Sequence, residues 1–449
     1  MALPKAGCFS TMKNSKIILW LFILTLSASC NEDTEDPRFA DAYIKTAITA
    51  SMQEWYYWND QLPQRVDYDQ YNSYEALLEA IKYKPFDRWS YLTTPQAFDQ
   101  AFTGQNSGHG FGWAIDQKQD LYLSFVYSES PAGKDGWQRG WKVIQVNGRP
   151  VADYKTSTGY NFQLGPAEAG ISNSFTFELP DGSLTNRSIS KAAYQANSVL
   201  NRSTISLENK RIGYLAYNSF KATAGLSPTQ SQEVKEAFDY FEKEQVDEMI
   251  VDLRYNGGGS VRVAEQLMNY LAPISAKGQV MYTDIHNRNK EEMNGEVRFT
   301  KTGGLDLSRI FFIVSGSSAS ASELSINCLS PYMEVKLIGQ KTYGKPVGAF
   351  PVSGFNKFLE NNGIELVPIT FSTANANGKA DYFEGLPVDY AAQDGVSFPW
   401  ADPEEPRLNA ALQYIRTGSF PFNARQDLSP PQWEMIDDFT GLQQEFPVY

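Results

Sequence analysis

Histidine and cysteine are scarce in this chain of 449 residues, with two and three copies respectively. The scarcity narrows the chemistry. A Ser-His-Asp triad would have to use His109 or His286, because no other imidazole exists. The cysteines, Cys8, Cys30 and Cys328, form no C-x-x-C pair, so neither a zinc ribbon nor a disulfide framework is indicated. Positive charge is also short: 39 basic residues face 52 acidic ones, a formal net charge of −13. The first 29 residues hold three lysines and no acid, so without them −13 becomes −16. A surface that acidic repels phosphate backbones, which excludes nucleic acid as a natural partner. No Walker A or Rossmann glycine pattern stands out. The longest apolar run, IILWLFILTL, is too short to span a bilayer comfortably.

That run lies in MKNSKIILWLFILTLSASC (Met12–Cys30): a basic start, an apolar stretch, then small residues. This is the make-up of an export signal. Its end, Leu-Ser-Ala-Ser-Cys, resembles a bacterial lipobox, with Cys30 as the lipid-bearing first mature residue. The alternative is a plain cleaved signal with an incidental cysteine. NEDTEDP (Asn31–Pro37) reads as an acidic, solvated tether. Acids just behind the lipid cysteine resemble the surface-export signal of Bacteroidetes-type lipoproteins. The expected order begins with a signal over 1–29 and a lipidated tether over 30–37.

Residues 38–103 are expected to form an N-terminal helical domain. ADAYIKTAITASMQEWYYW and SYEALLEAIKY place apolar residues three and four apart, the second opened by a serine cap. Near residue 104 the pattern changes to alternating short strands with Gly, Asn-Gly and Asp-Gly turns: GHGFGWAID, LYLSFVY, WKVIQVNGRPV, SFTFELPDG. SPAGKDGWQRGWKVIQVNGRPV (Ser130–Val151) resembles the helix, glycine, strand and Asn-Gly turn of a PDZ domain. The resemblance implies a PDZ domain over 104–200. Gly110, Phe111 and Gly112 would then form its carboxylate-binding loop, where backbone N–H groups capture a peptide end.

Beyond about residue 201 strands and helices alternate. DEMIVDLRYNGGGS, IFFIVSGSSASASEL and EVKLIGQKTYGKPVG each run from an apolar strand into a turn of small residues. Alternation of this kind indicates an α/β core. A serine in a turn that opens a helix sits beside free backbone N–H groups able to stabilise an oxyanion. Three glycines allow a second loop to approach a substrate carbonyl. A hydroxyl nucleophile needs a base, and neither histidine is flanked by a motif. A lysine can serve if burial lowers its pKa from about 10.4. Lys345, in a small apolar loop, is the candidate, and Lys341 the more solvated rival.

Together DLRYNGGGS, GSSASASEL and GQKTYGKPVG resemble the core motifs of the carboxyl-terminal processing (tail-specific) serine proteases, the S41 peptidase family. The resemblance runs from about 104 to 417 and implies a multidomain α/β chain. Its S41 core, over 201–420, would be ClpP/crotonase-like and built of ββα units, with residues 421–449 as an unassigned extension. It implies Ser320 as nucleophile and Lys345, twenty-five positions later, as base. Ala321 and Gly258 would supply the oxyanion N–H groups, and Glu323 and Thr342 would support the site. Asp252, Arg254 and Asn256 would hold the glycine loop. Two positions depart from the pattern: Ala349 stands where many members orient the lysine with glutamine, and Pro331 where some carry an acid. The group orienting Lys345 is thus open, with Thr342 and Ser318 as candidates. No metal or cofactor is implied. The expected protein is an exported, envelope-anchored serine endopeptidase acting on protein or peptide substrates. The alternative is a catalytically weak or inactive S41-like lipoprotein that serves as a peptide-binding scaffold.

Overall fold

The computed structural model describes residues 37–422, apart from 104, 117, 157–158 and 223–228. The export signal, Cys30, the tether up to residue 36 and the extension beyond 422 lie outside the described residues. The chain divides into two units, Met1–Asp41 and Ala42–Tyr449, and apart from the start of the helix Pro37–Trp55 the elements below belong to the second. Among the described residues, no helix is long and apolar enough to cross a membrane.

The centre of the fold is a six-stranded sheet. Its strands are β1 (Val199–Leu207), β2 (Lys210–Tyr217), β3 (Glu248–Asp252), β4 (Arg309–Val314), β5 (Glu334–Gly339) and β6 (Tyr390–Ala391), in that spatial order. β1 and β2 form an antiparallel hairpin; from β2 to β6 all pairs are parallel. Parallel strands need crossovers, and helices supply them: α1 (Gln232–Lys243), α2 (Val261–Leu271) and α3 (Ala321–Leu329). With α4 (Pro406–Thr417) on the other side, both faces of the sheet are covered.

The apolar strands follow from this double burial. Ile310, Phe312 and Val314 enter the core shared with α1, α2 and α3, while Phe311 and Ile313 enter the core shared with α4. β2 and β3 divide the same way: Leu215, Tyr217, Met249 and Val251 on one face, Ile212, Tyr214, Ala216 and Ile250 on the other. The period of two is that of a strand. It was hidden in the run IFFIV because both faces are apolar.

Residues 111–190 carry a separate antiparallel sheet, ordered Phe111–Ile115, Leu121–Val126, Lys142–Val146, Ser172–Glu178, Leu184–Ser190. Its core is aromatic, with Phe111, Trp113, Trp137, Phe175 and Phe177 in mutual edge or tilted contact. The expected Asn-Gly turn is present. Asn147 and Gly148 take φ of 48° and 74°, closing a two-residue hairpin between Val146 and Arg149.

The segment expected to be purely helical contains helices Pro37–Trp55 and Tyr74–Ile81, and Ser73 caps the second by accepting from Ala76 N at 3.1 Å. It also contributes a strand, Tyr91–Thr93, paired antiparallel with Glu365–Val367. Ile48, Met52, Tyr56 and Leu78 share one core with Val347, Val352, Leu366 and Ile369. Three strand residues whose partner lies far along the chain leave no local signature. The four aromatic residues 55–58 act as packing: Tyr56 is buried and the Tyr57 N–H donates to Ile369 O at 2.8 Å.

Phe312 is fully buried at the centre of the sheet. Phe312→Ala is expected to destabilise the fold by about 3–5 kcal/mol, read from a urea or guanidinium unfolding midpoint.

Candidate active site

Three neighbouring parallel strands, β3, β4 and β5, end at one edge of the sheet, and each runs into one of the small-residue loops. The glycine loop follows Asp252, the serine turn follows Val314, and the lysine loop follows Gly339. Loops beyond the carboxyl ends of adjacent strands converge by construction. Sequence positions about 25 to 90 residues apart therefore meet because β3, β4 and β5 are side by side.

Most of the serines in SGSSASASEL tie this edge together. Ser315 Oγ donates to Arg254 O, Ser318 Oγ to Leu253 O (2.8 Å) and Ser322 Oγ to Asn256 O (3.0 Å). The Ala319 N–H adds a bond to Asn256 O at 3.1 Å. The serine turn is thus stitched to the glycine loop residue by residue. Ser320 sits at the apex, buried, as the N-cap of α3 with φ 57° and ψ −114°. A non-glycine residue in that region stores strain of about 1–3 kcal/mol and persists only where the surroundings enforce it. The turn sets Ser320 at the positive end of α3.

Glu323, three residues into the helix, is fully buried and accepts four hydrogen bonds. Oε2 takes the N–H groups of Ser320 (3.0 Å) and Lys345 (2.8 Å). Oε1 takes Thr342 Oγ1 (2.6 Å) and the Gly344 N–H (2.7 Å). One carboxylate therefore bonds both the serine turn and the lysine loop. Burial raises its pKa, and the four donors oppose that rise.

Lys345 is buried, whereas Lys341 is exposed. Desolvation lowers the Lys345 pKa to about 7; Asp87 and then Glu323 pull the other way. Its Nζ lies 6.0 Å from the centroid of the Trp89 ring. The expected orienting groups are otherwise engaged. Thr342 Oγ1 donates to Glu323 and accepts from the Leu386 N–H, and Ser318 Oγ donates to Leu253 O and accepts from the Ser315 N–H. Both hydroxyls serve the loops. The carboxylate acting most strongly on Lys345 belongs to Asp87, a residue that sequence reasoning missed. No signal near Lys345 pointed to a position more than 250 residues earlier.

Gly258 adopts φ 111°, and a Cβ there would come within 2.8 Å of Ser320 Cβ. The glycine is required so that the loop can lie against the serine. Its N–H donates to Asn256 Oδ1 at 2.9 Å, so as an oxyanion donor it is already engaged in this geometry. The Ala321 N–H, first in α3, has no acceptor among the described residues. Asn256 is buried and its Nδ2 donates to Tyr217 O. Arg254, equally buried, bonds Asp252, Asp394 and Glu405. Those three carboxylates hold its pKa well above the usual range despite burial, and the guanidinium in turn holds Asp394 low. Arg139, between two strands of the antiparallel sheet, joins the same Asp394 at 2.9 Å.

The remaining expectations fall elsewhere. His109 is buried against Phe111 and Phe175, and His286 ends the strand Val280–His286 beside Phe350 and Phe371. Cys328 is buried in the core on α3, where desolvation pushes its thiol pKa up. Gly110, Phe111 and Gly112 open the terminal strand of the antiparallel sheet. All three are buried: Gly110 O accepts from Tyr127 N and Ser130 Oγ, and Gly112 lies against the Phe125 ring.

A family model of peptidase family S41 matches residues 211–363, and one of the peptidase S41 N-terminal domain matches 43–91. The carboxy-terminal processing protease CtpA of Bacillus subtilis is 25% identical over 333 residues, 72% of this chain and 64% of that protein. The chain thus spans just under two thirds of that relative. The carboxyl-terminal-processing protease of Synechocystis is 25% identical over 383 residues, 82% of this chain and 83% of that one. A crystal structure of a Bacteroides fragilis protein assigned to the S41 proteases superposes with a TM-score of 0.66 at 25% identity, covering 83% of this chain and 97% of the other.

Gly258→Ala sets a Cβ against Ser320 at a positive φ, so it is expected to push the glycine loop off the serine turn, lower the thermal unfolding midpoint and cut any peptide-bond cleavage by at least about 100-fold, the scale of a misplaced oxyanion donor. Circular dichroism and steady-state kinetics on the same preparation check it.

Proposed function

We propose that this chain, a homologue of the S41 serine peptidases, cleaves peptide bonds with a Ser320/Lys345 dyad. The observation that carries the reading is the buried Glu323 carboxylate bonded at once to the Ser320, Gly344 and Lys345 N–H groups. It supports a preorganised pairing of a strained serine with a lysine whose pKa is about 7. In the acylation step the neutral Lys345 Nζ takes the Ser320 hydroxyl proton as Oγ bonds the substrate carbonyl carbon. The carbonyl π pair moves to oxygen, which the Ala321 N–H stabilises. Gly258 joins as second donor if its N–H turns from Asn256. Collapse expels the amine, which takes the proton from Lys345. Water, activated by the same lysine, then releases the acyl group.

The aromatic surround of Lys345 favours an apolar substrate chain: Trp89 lies near Tyr343 and Phe383, and Phe86 near Phe383. Residues 104–200 are read as a PDZ domain that presents an extended or C-terminal peptide segment, with Gly110, Phe111 and Gly112 as its loop. Export follows from the signal over 1–29, and envelope anchoring from a lipid on Cys30.

Ser320→Ala and Lys345→Ala are each expected to abolish cleavage of casein, an unfolded protein, monitored by gel. Wild-type kcat/KM is expected to rise with pH through about 7, because the base must be neutral. Retained activity in either variant overturns the dyad, and a wild type without any turnover favours the peptide-binding scaffold.

A further inference from the structure

The N-terminal segment supplies a charge to the candidate site. Asp87 is buried, and every bond to its carboxylate fixes its direction: Oδ1 accepts the N–H groups of Trp89 and Ser90, both at 2.9 Å, and Oδ2 accepts the Tyr56 hydroxyl at 2.8 Å. Tyr56 is itself held by the Tyr83 N–H at 2.9 Å. Asp87 and Lys345 share a neighbour, since the residue whose N–H bonds the carboxylate, Trp89, is the one whose ring faces the Lys345 Nζ.

The two loops are also tied to one strand. Ser90 Oγ accepts from the Ile369 N–H at 2.9 Å, which fixes the Asp87 turn to the strand Ile369–Asn375. That strand pairs with Val347–Ala349, directly after Lys345, and its Ser372 Oγ donates to Pro346 O at 3.3 Å. A single strand thus sets the distance between the carboxylate's loop and the lysine's loop.

We propose that Asp87 acts on Lys345 as a positioning residue through Trp89: its carboxylate, held by Tyr56, Trp89 and Ser90, stands behind the ring that the Lys345 Nζ faces and stabilises the ammonium form once the Ser320 proton has been taken up. The inference rests on the dyad reading above. It gives the N-terminal segment a part in catalysis.

The charged and titratable groups around Lys345 come from three elements. Asp87 and Arg88 belong to the N-terminal loop, Glu323 to α3, and Tyr343 to the lysine loop; Tyr56 stands behind Asp87. Arg88 is exposed and stacks on Trp89 and Tyr343. Burial favours the neutral lysine, and Asp87 leads the opposing pull. Removing the Asp87 charge therefore lowers the lysine pKa further. The base becomes neutral at lower pH, and also weaker.

The test is the pH profile of kcat/KM on a fluorogenic casein, with the full mature chain. In Asp87→Asn the acid limb is expected to move down by about one pH unit or more, while the plateau falls about tenfold or more. Asp87→Glu should restore part of the plateau and return the limb towards wild type. Tyr56→Phe removes a bond to the carboxylate and concentrates its charge, so the limb should move up. It serves as the independent measurement if Asp87→Asn does not fold. A limb at the wild-type position in Asp87→Asn, or in Tyr56→Phe where that stands in, overturns the inference whatever the plateau does. An active Lys345→Ala overturns the dyad itself, which separates the two failures.

Discussion

The site depends on one buried carboxylate. Glu323 has no contact with solvent, yet it is surrounded by donors from two chain segments that meet only in the folded protein. A buried acid with unsatisfied oxygens costs several kcal/mol, so the bonds to the lysine loop and the serine turn form together or not at all. Through this link the strained backbone of Ser320 is sustained, because the N–H of that residue is one of the four donors. The geometry of Ser320 and the placement of Lys345 are consequences of the same carboxylate.

A second buried network secures the glycine loop from the opposite side. Arg254 is shared by Asp252, Asp394 and Glu405, which lie on β3, after β6 and at the start of α4. Such a cluster contributes little net stability against an apolar equivalent, but removing one partner leaves a charge stranded. Its effect is to fix where the loop leaves β3, and so where Gly258 meets Ser320. Arg139 reaches the same Asp394, which makes the segment carrying the antiparallel sheet a physical neighbour of the glycine loop. Phe125 against Tyr255 adds a ring contact across the same boundary.

Electrostatically the site divides its work. Burial pushes Lys345 towards neutrality, as a base working near pH 7 requires, while Asp87 and Glu323 limit how far it goes. Thr342 and Ser318, the side chains nearest in sequence to the two loops, are consumed in holding the loops and leave the tuning to a distant acid. A local motif can specify a loop's shape. It cannot specify which charge the rest of the chain brings up to it.

Much of the protein was legible in its residues. The apolar strands, the helix caps, the Asn-Gly hairpin and the order of the three small-residue loops are local properties, governed by backbone sterics and by periodicity over a few positions. Ser320, Glu323 and Lys345 could be singled out because their spacing belongs to a recognisable pattern. Three things had to wait for the tertiary structure: the engagement of the Gly258 N–H by Asn256, the pairing of Tyr91–Thr93 with Glu365–Val367, and the meeting of the Trp89 ring with Lys345. Each is a contact whose geometry is set by three-dimensional packing and leaves no periodic trace. The sequence by itself determined which residues are candidates for the chemistry; the packing of the N-terminal segment onto the strand Ile369–Asn375 decided what surrounds them, because electrostatic interaction depends on distance through space and burial rather than on position along the chain.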